Sequence, residues 1–203
     1  MDELDEKFIE RLRLHEEWVK AIGKSGKQLV AINAQLGAVN LSGKSLDEVV
    51  LPGALLDGSN LSETDFYASN LASASFIGAN LERAILVKAN LDYAKLMHCN
   101  LRQVDAVKTS FVEANLQGSD MTNAKLVRAS FRSTNLEGAL LKNANFSGVR
   151  LYGTRLVHAD LAGITGFDEV FGDEIIVATG DQEITISGTE NIREWLKNAS
   201  LKT

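Results

Sequence analysis

Long apolar runs are missing from this chain of 203 residues, and none approaches the roughly 18 residues that mark a membrane-spanning helix. The first segment, Met1-Asp2-Glu3-Leu4-Asp5-Glu6, lacks the basic and apolar regions of a secretory leader. The expectation is a cytoplasmic protein without a membrane span. Cysteine is nearly missing too: with Cys99 alone, no disulfide framework exists. Excess charge of one sign is missing from the middle of the chain. The formal net charge is -6, but residues 36–163 hold 12 acidic and 12 basic side chains, residues 1–35 hold 7 and 6, and residues 164–203 hold 8 and 3. The acidity therefore sits in the C-terminal segment, and the long central stretch is neutral by count.

What is present is a period of five. From Leu36 to Leu161, without an insertion, 26 positions recur at that spacing, and 25 of them are Leu, Phe or Met, with Ala106 the exception. Two residues before each centre stands Ala, Ser, Thr, Val or Cys, except at Lys44. A helix repeats near 3.6 and a strand at 2, so neither keeps every fifth residue on one face. A chain that turns a corner at each repeat does. If each repeat is one side of a square, the large centre and the small residue two before it point inward and the other three face water. An interior filled by one Leu or Phe per side leaves room only for Ala, Ser or Thr at the second inward position, which is the size rule seen. Four sides make a coil of 20 residues, so 26 units give six and a half coils. Stacked at the usual strand spacing of about 4.8 Å, they form a rod of about 30 Å. Residues 20 apart fall in columns: Asn40, Asn60, Asn80 and Asn100 share one, continued by Asp120, where stacked amides are expected to bond to neighbouring backbone. Phe111 and Phe131 share another and are expected to stack inside.

The residue before each centre is often Asn or Asp, as in Ala79-Asn80-Leu81, Ala89-Asn90-Leu91 and Ala114-Asn115-Leu116. The resulting A-(N/D)-L-x-x pattern resembles the pentapeptide repeat family over about 126 of the 203 residues. The resemblance implies an all-β solenoid, a right-handed quadrilateral β-helix; the arithmetic of the repeat gives stacking but not handedness. The expected organisation is an N-terminal amphipathic capping helix and linker over 1–30, the β-helix over 31–163, and a C-terminal cap with a short hairpin and helix over 164–203.

Open solenoid ends expose unpaired backbone and need covers. Phe8, Leu12, His15, Val19 and Ile22 follow helical spacing, with Leu14 and Trp18 beside them, Asp2, Glu3, Asp5 and Glu6 ahead and Gly23 behind, which predicts an amphipathic helix across the first coil. Leu14-His15-Glu16-Glu17-Trp18-Val19 followed by Gly23-Lys24-Ser25-Gly26-Lys27 is similar to a leader ahead of many bacterial pentapeptide repeats. At the other end, Glu174–Val177 and Glu183–Ile186 flank Thr179-Gly180-Asp181, a hairpin pattern, and a helix from Thr189 carries Ile192, Trp195 and Leu196 on one side. That end is read either as a cap alone or as a cap that also forms a homodimer through Ile192, Trp195 and Leu196. The dimer is what resemblance to fluoroquinolone-resistance members implies.

Catalytic patterns fail. A zinc-protease helix built on His15-Glu16-Glu17 needs a second histidine where Val19 stands, and the phosphate-loop endings at Gly23-Lys24-Ser25 and Gly43-Lys44-Ser45 have Trp18 and Ala38 where the earlier glycine belongs. His98 and His158 share a column but lie three coils apart, about 14 Å, too far for one metal. Serines recur as repeat residues with no histidine placed beside them. No enzyme, cofactor or metal centre is expected, and Cys99 reads as a buried, inert thiol.

The surface remains. Tyr67, Val87, Val107 and Val127 form an outward column, with Ile85 on the same side and Lys88, Lys108 and Arg128 stacked beside it. One reading is that β-branched residues simply suit a pleated face and lysines solvate it; the other is a partner-contact surface, an apolar stripe bordered by one sign of charge. The functional expectation is a non-catalytic protein-interaction module, partner unknown. The alternative, which family resemblance implies, is a DNA-mimicking modulator of gyrase, for which a neutral rod with a basic column is a poor imitation of phosphates. Direct nucleic-acid binding is disfavoured by the negative total and by the lack of aromatics along the basic column.

Overall fold

The period of five becomes a stack of parallel coils. In the computed structural model, which describes residues 6–201, each residue that precedes a centre pairs in parallel with the residue 20 further on, as in Asn40↔Asn60, Ser45↔Asp65, Val50↔Asn70 and Leu55↔Ser75. The four columns repeat without a break from Val30↔Val50 to Asn145↔Thr165. The centres are buried throughout the stack, and so are the small inward residues except Ala34 and Ala159 near its ends, which are partly buried, while Lys44 at such a position is exposed. Phe111 and Phe131 stack inside with ring centroids 5.1 Å apart and planes 3° apart.

One unit shows how the backbone is satisfied. The Leu81 N–H donates up the rod to the Asn100 carbonyl at 2.7 Å, the Arg83 N–H to Arg102 at 2.9 Å, and the Asn80 N–H down the rod to Ser59 at 2.9 Å. The Ala84 N–H closes the corner on the Leu81 carbonyl at 3.0 Å, and Arg83 takes φ 57°, as the third residue of a type II turn requires. That leaves one N–H per unit, here that of Glu82, which donates to Asn80 Oδ1 at 3.1 Å. The preference for Asn or Asp before each centre is thus a need for one short side-chain acceptor. The same accounting corrects the expected amide ladder. Along the rod the backbone is already paired, so the Asn100 amide donates to Asn80 Oδ1 at 2.9 Å and the Asn80 amide to Asn60 Oδ1 at 3.4 Å, side chain to side chain.

At the start lies α1 (Glu6–Lys20), with Phe8, Leu12 and His15 buried against the first coil. His15 Nδ1 accepts from the Leu29 N–H at 3.1 Å and its ring stacks on Trp18 with centroids 5.8 Å apart. Ile22, expected on the apolar stripe, lies beyond the end of α1 at φ 51° and is 87 % exposed. Asp2, Glu3 and Asp5, read as N-terminal acids of the helix, lie outside the described residues.

The pattern of five ends at Leu161, but stacking does not. After Thr165 a short 3-10 turn (Phe167–Glu169) intervenes, and β3 (Phe171–Gly172) then pairs in parallel with β1 (Arg150–Leu151), and β4 (Glu174–Thr179) with β2 (Thr154–Arg155). The register is now Arg150↔Phe171 and Thr154↔Ile175, an offset of 21. One extra residue hides this last layer from a search for fives. Val170, Ile175 and Val177 take the inward places. The hairpin is as expected: β4 turns at Gly180, φ 62°, into antiparallel β5 (Gln182–Ser187). Then α2 (Thr189–Ser200) packs on β3, β4 and β5. Ile192, Leu196 and Ala199 are buried on it, and the Gly163 N–H donates to the Ser200 carbonyl at 2.8 Å. Ile192 and Leu196, two of the three residues read as a homodimer contact, are spent on the chain's own core, and Trp195 packs partly buried against the same core. No helix of the described residues is long and apolar enough to cross a membrane.

Candidate interaction surface

All eight residues singled out for the surface fall on one side of the rod or its adjoining corner. Asp65, Ile85, Asp105 and Lys125 pair in sequence up the stack, which sets Tyr67, Val87, Val107 and Val127 one above another two residues further on, and Lys88, Lys108 and Arg128 at the following corner. The three lysine and arginine positions take φ values of 59–61°, so their side chains leave a left-handed corner and are exposed. The three valines are half-buried by their stacked neighbours, and Ile85 is 37 % exposed. Tyr67 and Lys88 engage one another: Lys88 Nζ donates to Tyr67 Oη at 2.6 Å and lies 4.9 Å from the ring centroid.

Neutrality by count conceals a division. Lys44, Arg83, Arg102, Lys125, Lys142 and Arg155 each meet a carboxylate, at 2.5–3.4 Å. Among the described residues, Lys88, Lys108 and Arg128 form no ion pair, and neither do Arg132 and Arg150, which follow around the corner, or Lys95 on another side. Arg132 lies over the Tyr152 ring at 5.7 Å. Toward α1 the same side turns acidic through Asp47, Glu48 and Asp65. The Asp65 carboxyl is held above its usual range, chiefly by burial. Sequence reading found the basic column but not Arg132 and Arg150, because only the pairing pattern separates free cations from matched ones.

A second feature was not legible as such. Ile85 and Lys125, like Lys95 and Leu140, stand where many units have Asn or Asp, so the outward N–H groups of Val87 and Val127 donate to no group among the described residues, whereas that of Val107 reaches Asp105 Oδ1 at 3.4 Å. Elsewhere Cys99 offers no chemistry. Its thiol donates to the Phe76 carbonyl at 2.8 Å, and burial pushes its pKa up to about 12.

Eight copies of the pentapeptide repeats model match residues 34–71, 64–103, 94–132 and 124–163. The chain belongs to the pentapeptide repeat family. Among curated protein sequences none matches significantly. Among solved structures it is similar to HetL, a pentapeptide repeat protein involved in heterocyst differentiation regulation from the cyanobacterium Nostoc sp. Strain PCC 7120. That match has 28 % identity over 76 % of this chain and 74 % of that one, with a TM-score of 0.43. A pentapeptide repeat protein of the Arabidopsis thaliana thylakoid lumen matches with 23 % identity over 50 % of this chain and 68 % of that one, TM-score 0.40. Full-length QnrB1, a plasmid-mediated fluoroquinolone resistance protein, has 22 % identity over 69 % and 94 %, TM-score 0.26.

Proposed function

We propose that this pentapeptide repeat protein is a non-catalytic interaction module: a right-handed, four-sided β-helical rod, spanning 31–163 and the layer stacked on it, with α1 and the α2 segment as end caps. One side docks a protein partner. The observation that carries the reading is the co-location of an apolar column (Tyr67, Val87, Val107, Val127, with Ile85) and a column of cations free of ion pairs (Lys88, Lys108, Arg128), on a rod that matches half its basic residues to carboxylates. Apolar surface beside one sign of unmatched charge gives a partner both desolvation energy and orientation.

Gyrase modulation by DNA mimicry is the weaker reading, because a polyanion mimic needs carboxylates along its flank and this flank is basic. Purified protein is expected neither to inhibit gyrase supercoiling nor to protect it from quinolones at micromolar concentration. Val107→Glu with Lys108→Glu, both outward, is expected to leave the melting temperature within about 2 °C of the parent, since surface substitutions cost little. The double variant should abolish recovery of the partner retained by the parent protein. Gyrase inhibition that survives the double substitution overturns the reading.

A further inference from the structure

We infer that the partner element on this side is an amphipathic α-helix with an acidic flank, lying along the rod axis. The inference rests on the interaction-module reading and adds the chemistry and shape of what is bound.

Shape follows from spacing. The columns step up the rod at about 4.8 Å per coil, so Tyr67 to Val127 spans about 14 Å. A helix presents one stripe every turn, about 5.4 Å, or about 16 Å over three turns, within about 2 Å of the column. An extended strand along the same axis presents same-face side chains about every 6.7 Å, or about 20 Å over three steps, and slips out of register by more than a coil. Only the helix keeps one apolar residue over each of Tyr67, Val87, Val107 and Val127. Its next stripe then falls over Lys88, Lys108 and Arg128, whose flexible stems absorb the remaining mismatch.

Charge follows from what the side leaves unmatched. Lys88, Lys108 and Arg128 pair with no carboxylate among the described residues. The outward N–H groups of Val87 and Val127, like those of Met97 and Lys142 on other sides, donate to no acceptor among the described residues, because Ile85 and Lys125 stand where Asn80 supplies one in its own unit. Cations and backbone donors interleaved along one corner call for carboxylates at the pitch of a helical turn. Asp47, Glu48 and Asp65 at the α1 end set polarity: the acidic stripe should stop, or turn basic, where the helix reaches that end.

A synthetic helix-stabilised peptide tests this, with Leu in alternating four- and three-residue steps and Glu immediately after each Leu. Its control has the same Leu and Glu content but is interrupted by proline so that it stays extended. Titrated into isotopically labelled full-length protein at low salt, the helical peptide is expected to move the backbone resonances of residues 85–88, 105–108 and 125–128. The combined Lys88→Glu, Lys108→Glu and Arg128→Glu variant should weaken binding by about tenfold or more, while Arg83→Glu with Arg102→Glu, on another side, should change it by less than about twofold. Equal binding by the extended peptide overturns the helix and leaves the docking side standing. Shifts on another side, or no binding by either peptide while the double variant of the preceding section still loses its partner, overturn the inference alone. No binding, together with a double variant that keeps its partner, overturns both.

Discussion

At the scale of single residues, one side-chain acceptor completes the backbone of the repeats that place Asn or Asp before the centre. Coil-to-coil bonds take three of the five N–H groups in the unit around Leu81, the corner bond to the Leu81 carbonyl takes a fourth, and Asn80 takes the fifth while joining Asn60 and Asn100 through its amide. Asn80→Ala is therefore expected to cost about 1 kcal/mol, and Asn80→Asp less, since it keeps the acceptor for Glu82 and loses only an amide donor. Thermal unfolding of both variants checks the order; equal losses would contradict it. His15 is the residue whose protonation opposes the fold. Burial holds its pKa below the ordinary value against the opposing pull of Asp47, Glu16 and Glu48, and its Nδ1 must stay unprotonated to accept from Leu29. A depressed folded pKa means that the unfolded chain binds the proton first. The contribution is thus present above the unfolded value of about 6.5 and is lost as pH falls through the folded value. Acidification from pH 7.5 to 5 should lower the melting temperature of the parent more than that of His15→Gln, which keeps an acceptor and cannot titrate; an equal drop would remove His15 from the account.

At the scale of elements, each helix buries an apolar face, as the proposed end caps require. Phe8, Leu12 and His15 cover the first coil and Ile192, Leu196 and Ala199 the last. Deleting residues 1–22 takes the His15 acceptor from the Leu29 N–H and the cover of Phe8 and Leu12 from the first coil, and the truncated protein is expected to associate through that end. Light scattering during size-exclusion chromatography reads this directly, and a monomer as stable as the parent would free α1 for another role. The sequence made these helices legible because helical periodicity contrasts sharply with a period of five. Ile22 was misplaced because periodicity extends a stripe past the residue at which the backbone leaves the helix. The last layer was invisible because one added residue before Phe171 shifts the phase, although parallel stacking continues through β3 and β4. The apolar and basic columns were readable by adding 20. Which cations lack partners was not, since Arg102 and Asp120, or Arg155 and Glu183, meet only once the coils are stacked.

At the scale of the whole molecule, a rod that is neutral by count carries an uneven field. Ion pairs hold Arg83, Arg102 and Lys142 on one side, while beside Val87, Val107 and Val127 the corner column of Lys88, Lys108 and Arg128 meets no carboxylate among the described residues, although Lys125 pairs with Asp105 on the same side. The central claim, that this side alone is a docking surface, is tested most directly by placing a photoreactive phenylalanine at single outward positions in cells that make the protein. Positions 87, 107 and 127 on the proposed side are compared with 62, 102 and 122 on another. The same discrete crosslinked species is predicted from all three positions of the first set and from none of the second. Crosslinks from the second set, or from neither, would contradict the account.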